Sequence, residues 1–256
     1  MSMRRMGWIV ALLAVAGAAG GGCRSGGGRV PEAVRPEAEL GRALALFRRG
    51  DFRKAQLVLQ RLTFELGPGH ADLPTVRYHL AECYFQTGDR VQAAHEFRRV
   101  ADEFPSSAYA PVALLRAGDA HLRLWRRAEL DPTAGETALS LYQELAGRYP
   151  ESDAAARARL HVRQLQDQFA EKSYKNGMFY LRRRAYDSAI IYFKDVIANF
   201  PETKRAADAL LRLADSYRAI NYTEELQETC SHLRRFYPRA AGLATSCPAA
   251  ATGAPS

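Results

Sequence analysis

Apolar positions along this chain recur with a helical beat. In five places an Ala or similar residue is followed four positions on by a bulky apolar residue and three further on by another, and a proline closes the run. Residues 50–68 read Gly50-Asp51-Phe52, Ala55, Leu59, Leu62 and Pro68. Residues 88–105 read Gly88-Asp89-Arg90, Ala93, Phe97, Val100 and Phe104-Pro105. Then come Ala138, Tyr142, Leu145, Tyr149-Pro150; Tyr186, Ala189, Phe193, Val196, Phe200-Pro201; and Leu226, Cys230, Leu233, Tyr237-Pro238. Offsets of three and four place these side chains on one helix face. The Ala lets two antiparallel helices approach closely, and the bulky residue fills the gap to the next unit. Proline ends the second helix of each unit, since it lacks an amide N–H and restricts its predecessor. Strand-like alternation bounded by turn dipeptides is absent. The expected class is all-α, with about five helical hairpins.

The closing prolines put repeat ends near 68, 105, 150, 201 and 238, inside a domain spanning 37–238. The pattern resembles the tetratricopeptide repeat (TPR), whose unit is about 34 residues. Two of the repeats here are slightly long and two carry insertions. A single hairpin buries its apolar face only by stacking on neighbours, so a superhelix with a concave surface is expected. The polar segment 126–136 reads as a loop inserted between the two helices of the third repeat. Residues 152–183 lack proline and hold one glycine, Gly177, which predicts a single long helix of about 48 Å. After Pro238 the chain turns rich in Ala, Gly, Pro and Thr, and 239–256 reads as a disordered tail.

The first 22 residues break this pattern. Met1–Met6 is short and basic, and Gly7–Ala19 is an apolar run of 13 residues. Thirteen helical residues rise about 20 Å, too little for a hydrocarbon core of about 30 Å. Residues 1–22 therefore read as a signal peptide. Cys23 follows Gly20-Gly21-Gly22, and two readings stand. In one, the site is a bacterial lipobox with Gly20 in place of the usual aliphatic residue, and Cys23 carries the lipid. In the other, cleavage falls near Ala19 and Cys23 is a free thiol. On the first reading, residues 23–36 are expected to be the lipidated Cys and a flexible tether.

The formal net charge is +8, and removing residues 1–22, with Arg4 and Arg5 and no acid, leaves +6. The remaining charges of both signs are interspersed, as on solvated helix faces. Cys83 and Cys230 sit at apolar helix positions. A bridge between Cys230 and Cys247 is open in an oxidising compartment, but the spacing does not demand it.

Five repeats behind a lipoprotein signal resemble the BamD/ComL family of outer-membrane lipoproteins. The resemblance is sharpest over 105–238. Its carriers are Leu130-Asp131-Pro132-Thr133, Tyr149-Pro150-Glu151-Ser152, and Phe179-Tyr180, Ala185-Tyr186, Ala189-Ile190-Ile191 and Phe200-Pro201-Glu202-Thr203. About 200 of the 256 residues are covered. The resemblance implies a non-catalytic lipoprotein anchored at the periplasmic face of the outer membrane. Its implied partners are the periplasmic domains of the BamA-like barrel-forming insertase, other lipoproteins of the assembly complex, the C-termini of unfolded outer-membrane proteins, and the membrane through the lipid. It implies a substrate groove in the N-terminal repeats and an insertase dock in the C-terminal ones.

By spacing, the concave face holds Leu44, Phe47 and Arg48, then Tyr78, Glu82, Phe85 and Gln86, then Leu115, Asp119, Leu122 and Arg123. A peptide ending in an aromatic and a carboxylate needs an apolar slot and a cation. Phe47, Tyr78 and Phe85 supply the slot in this reading, and Arg48 or Arg123 the charge. The plainer reading makes these aromatics core residues. For the dock, Arg182, Arg183 and Arg184 sit at a hairpin turn near Asp187, Tyr192 and Lys194. The plainer reading of the arginines is a cationic helix C-terminus.

Enzyme signatures are missing. His95-Glu96 lacks the second His of a zinc-protease motif, the other histidines have no ligand spacing, and no nucleophile elbow occurs. No cofactor or metal is expected, and export argues against nucleic acid. The alternative function is that of a CpoB-like periplasmic repeat protein coordinating envelope or division processes. Such proteins usually carry an N-terminal coiled coil, and residues 24–36 hold no heptads.

Overall fold

The structure, a computed structural model, describes residues 35–125 and 131–248. These form helices α1 (Pro36–Arg48), α2 (Phe52–Glu65), α3 (Leu73–Thr87), α4 (Arg90–Glu103), α5 (Tyr109–Leu124), α6 (Thr133–Arg148), α7 (Asp153–Arg182), α8 (Tyr186–Asn199), α9 (Arg205–Ala219), α10 (Thr223–Phe236) and the one-turn α11 (Leu243–Ser246). The expected signal peptide, Cys23 and nearly all of the tether lie outside the described residues.

Each of α1 to α9 packs on its successor in the chain, so neighbours run antiparallel. The odd-numbered helices also touch one another, α1 to α3, α3 to α5, α5 to α7 and α7 to α9. Helices α2, α4, α6, α8 and α10 make no such mutual contacts. The first helices of the hairpins therefore form a continuous inner row, and the second helices stand apart on the outside. Helical hairpins packed in sequence this way are the tetratricopeptide arrangement.

The turns explain the Gly-Asp pairs. Gly50 and Gly88 take left-handed φ of 82° and 95°, which costs glycine nothing. The corresponding turns after α7 and α9 use Arg184 (φ 62°) and Asn221 (φ 63°). Asn tolerates that conformation better than Arg does. Helix packing explains two other glycines. A Cβ on Gly118 would stand 2.5 Å from the Tyr142 ring, and one on Gly177 would stand 2.6 Å from Phe193. Both rings are fully buried. Where the outer helix brings Tyr142 or Phe193 this close, the inner helix has room only for hydrogen.

The closing residues also do more than stop helices. The Tyr149 hydroxyl donates to the Pro105 carbonyl at 3.0 Å, and the Tyr237 hydroxyl to that of Pro201 at 3.2 Å. Repeats three and five thus end on Tyr-Pro and tie back to the Phe-Pro ends of repeats two and four.

Helix α7 is 30 residues long, about 45 Å, and starts one residue inside the expected span. The Ser152 hydroxyl caps it by accepting from the Ala155 amide at 3.1 Å. Its first half buries Ala155, Ala158 and Leu165 in the core of repeats two and three. Its second half buries Ala170 beside Ala189, Phe193 and Val196. Phe169 sits at the joint, 5.1 Å from the Trp125 ring and 6.1 Å from Phe200.

Two expectations need correction. The inserted loop is shorter than 126–136, because α6 already begins at Thr133 after an Asp131 carboxylate takes the Thr133 amide at 3.0 Å. Residues 126–130 lie outside the described residues. The tail expected to be disordered from 239 is folded as far as 248. Cys247 is disulfide-bonded to Cys230, with Cα atoms 5.5 Å apart. Ala240, Leu243 and Cys247 cover Leu210, Leu211, Ala214 and Leu233. The exposed apolar end of the last repeat recruits the tail, which would otherwise leave those side chains in water.

Candidate docking surfaces

On the N-terminal inner row, α1 and α3 bring an aromatic chain together. Phe47 lies edge-on to Phe52 (5.3 Å) and to His79 (5.1 Å). His79 meets Tyr78 (5.5 Å), which stacks on Tyr109 of α5 at 4.8 Å. Phe47 and Tyr78, both half-buried, are thus linked through a residue the sequence did not single out. His79 Nδ1 is buried with no hydrogen-bond partner among the described residues. Burial lowers its pKa, the Arg48 guanidinium pushes the same way, and Glu82 opposes them. Arg48 and Arg123 are exposed at the ends of α1 and α5.

Phe85 departs from the expected slot. It is buried in the core between repeats two and three. The Arg116 guanidinium lies 4.0 Å over its ring and that of Arg90 4.2 Å. Arg116 also makes a fork onto Glu82, with Nε to Oε1 at 2.5 Å and Nη2 to Oε2 at 2.8 Å. Its Nη1 reaches Asp119 at 3.1 Å, and Asp119 accepts from the Tyr142 hydroxyl at 2.9 Å. Tyr78 donates to Glu82 at 3.2 Å. Burial first, then Glu82, pushes the Tyr78 phenol well above its ordinary value. Beside it, burial pushes the Cys83 thiol up to about 12. These acids and arginines neutralise one another and hold α3, α5 and α6 in register.

The C-terminal half differs. Among α7, α8 and α9 runs a cleft of about 700 Å³ lined by Glu171, Tyr174, Phe179, Arg182, Tyr192 and Arg205. Arg205 bonds Glu171 at 2.5 Å and Asp208 at 2.7 Å, and lies 4.7 Å over Tyr174. The hydrogen bond from Arg205 holds the Glu171 carboxyl below its usual range. Tyr192 stacks on Tyr180 at 5.5 Å. Arg183 folds over Phe179 at 3.5 Å. Arg182, Arg183, Arg184 and Asp187 are exposed, and none has an ion-pair partner among the described residues. Lys194 is not part of this cleft. It faces α9 and α10, its ammonium 5.8 Å over Tyr217. The structure therefore brings Arg182 and Tyr192 together and separates them from Lys194.

The model of the YfiO outer membrane lipoprotein family matches residues 37–233. The chain belongs to that family. Its relatives include outer membrane protein assembly factors BamD. The one from Caulobacter vibrioides is 33% identical over 108 residues, covering 42% of this chain and 35% of that protein. The one from Neisseria gonorrhoeae is 26% identical over 161 residues, covering 59% of this chain and 60% of its own. The matched segments thus span about a third to three fifths of these relatives. Among solved structures, a thermophilic TPR protein from Thermus thermophilus has a TM-score of 0.38 at 18% identity, covering 82% of this chain and 95% of its own. MamA from Desulfovibrio magneticus has a TM-score of 0.36 at 15% identity, covering 79% and 95%. The family's fold in this chain rests on its own helices. Among the described residues, no helix is long and apolar enough to cross a membrane, and no cluster of His, Cys, Asp and Glu has metal-ligating geometry.

Sequence reasoning missed His79 and Arg116. Glu82 and Asp119 were placed on the inner face by spacing, and the one signal for Arg116 is its i,i+3 offset from Asp119.

Proposed function

We propose that this chain is a non-catalytic, lipid-anchored assembly factor at the periplasmic face of the outer membrane. It scaffolds the β-barrel assembly complex and helps outer-membrane proteins insert and fold. The observation that carries this reading is the family match across 37–233, which takes in the whole inner row of helices. Cys23 carries the lipid. The dock for the BamA-like insertase is the α7–α8 turn, where Arg182, Arg183 and Arg184 have no ion-pair partner among the described residues, flanked by Asp187 and Tyr192; Lys194, which faces α9 and α10, is a separate cation for the same partner. The groove for the C-termini of unfolded outer-membrane proteins is Phe47, His79, Tyr78 and Tyr109, with Arg48 as the cation nearest to it in sequence. Arg123 is a more distant cation for the same carboxylate, and Phe85 supports the groove from the core.

The test is co-purification of a C-terminally tagged full chain from detergent-solubilised envelopes, with mass spectrometry of what comes along. Recovery of the barrel-forming insertase and fellow lipoproteins supports the reading. Recovery of division or peptidoglycan factors without the insertase contradicts it.

A further inference from the structure

The five outer helices can be set in register by their Ala and bulky positions, from Ala55 and Leu59 in α2 to Ala189 and Phe193 in α8. Four outward positions of α2 then carry Arg53, Leu57, Arg61 and Phe64, all exposed. Leu57 is 66% exposed and Phe64 89%. They follow one another at offsets of four, four and three, so they lie along one stripe. Neither arginine has an ion-pair partner among the described residues. Lys54, beside the stripe, only approaches Asp51 at 3.9 Å. The same four positions include acids in the other outer helices, with Glu136 and Glu144 in α6, Asp187 and Asp195 in α8, and Glu224 and Glu228 in α10. In α4 they include Arg99 and Asp102, and both are ion-paired. Only α2 combines free cations with large apolar side chains and no acid on this stripe.

The topology places one end of that stripe at the end of the hairpin where α1 begins. Helix α1 begins at Pro36, and α2 returns antiparallel to it, so Phe64 lies at the same end of the hairpin as Pro36. Twelve residues lie between Cys23 and Pro36, so a lipid on Cys23 holds the start of α1 within at most about 45 Å of the membrane. An arginine-rich stripe with Leu and Phe matches an anionic lipid surface. The guanidinium groups meet headgroup phosphates, and the apolar side chains enter the acyl boundary.

We propose that the outward face of α2 lies flat against an anionic lipid surface and seats the first repeat on the membrane. This rests on the reading of Cys23 as the lipid-bearing residue. The full, lipidated chain is reconstituted into phosphatidylcholine vesicles with or without phosphatidylglycerol. An environment-sensitive fluorophore is attached through Leu57→Cys, through Phe64→Cys, or through Ile191→Cys, the equivalent of position 57 in α8 and 67% exposed. Cys83 is buried and Cys230 and Cys247 are bonded, so the new thiol is the reactive one. The proposal expects emission at 57 and 64 to rise severalfold and shift to the blue with phosphatidylglycerol only. Emission at 191 stays that of water, and Arg53→Glu with Arg61→Glu abolishes the change. Water-like emission at 57 and 64 on chains that float with the vesicles overturns the proposal and leaves the anchor standing. Chains that float with neither vesicle overturn both. Shielding of 57 and 64 in detergent alone, without vesicles, assigns the stripe to a second copy and overturns the lipid reading, as does equal shielding at 191.

Discussion

The middle of the array and its C-terminal hairpin turn use arginine in opposite ways. Around α4 and α6, Arg98 bridges Asp102 and Glu144 at 2.8 and 2.5 Å, and Arg148 bonds Glu144 at 2.7 Å. Between α3 and α5, Arg116 is forked onto Glu82. At the turn after α7, Arg182, Arg183 and Arg184 are exposed without a carboxylate partner among the described residues, Arg183 lying over the Phe179 ring and Arg182 lining the cleft, and Arg184 is held in a left-handed conformation that suits glycine. A guanidinium already matched to carboxylates fixes helix register and has little to offer a partner. Three unmatched ones repel each other and gain by meeting an acidic surface. Cations that look alike in sequence therefore divide into structural and available sets, and the fold makes that division.

The largest effect expected from breaking this contrast is at Arg116. Arg116→Ala strips the nearly buried Glu82 of its partner, and urea unfolding should show a loss of about 3 kcal/mol. Replacing Arg182, Arg183 and Arg184 together by Ala should change stability by less than about 0.5 kcal/mol, since alanine keeps the Cβ that strains position 184. Equal losses at both places would erase the distinction.

The disulfide offers a second contrast of similar size but confined to one end. Cys230→Ser with Cys247→Ser opens a loop of 17 residues, worth up to about 3 kcal/mol on chain entropy. Hydrogen exchange should quicken in α9, α10 and α11, while amides of α3 to α6 keep their protection.

A smaller effect, of opposite sign, is expected at the turn itself. Arg184→Gly relieves about 1–2 kcal/mol of left-handed strain and gives back about 0.5–1 kcal/mol in unfolded-state entropy. Thermal unfolding should shift upward by about 0.5–1 kcal/mol, although a cation is lost from the proposed dock. If the same variant binds the insertase less well, strain and docking meet in one residue.

The smallest effect comes with pH at the aromatic chain. The folded His79 imidazole holds its proton more weakly than an unfolded one, near pH 6.5. The unfolded state therefore takes up more protons below that pH. The contribution is full above about pH 6.5 and is lost as the pH falls from there through the folded value. His121, lowered by burial, adds in the same direction. His79→Phe should flatten the stability profile between about pH 7 and 5, and an unchanged profile would mean that His79 is not the group responsible.

Four of the outer helices were legible because each needs the same Ala and bulky pair to close on its neighbour, from Ala55 and Leu59 to Ala189 and Phe193, and α10 keeps the spacing with Leu226 and Cys230. Helix α7 was legible to within a residue because neither proline nor a second glycine interrupts it. The disulfide was not, since a spacing of 17 says nothing about whether a tail folds back. What pulls it back is the apolar end made by Leu210, Leu211 and Leu233, a tertiary feature. The candidate surfaces were legible as helix faces and not as contacts. Glu82 and Arg116 lie 34 residues apart, and only packing of α3 on α5 shows that one neutralises the other. Packing likewise turns Phe85 inward and puts His79 between Phe47 and Tyr78.

The division between structural and available arginines is tested most directly by two charge-reversal sets in the same envelope pull-down. One converts Arg182, Arg183 and Arg184 to Glu, the other Arg98 and Arg148, with folded protein matched in amount. The account predicts that the first set loses the insertase while keeping its stability, and that the second is destabilised but retains the insertase on the molecules that fold. Loss of the insertase from the second set at equal folded protein, with full retention by the first, would contradict it.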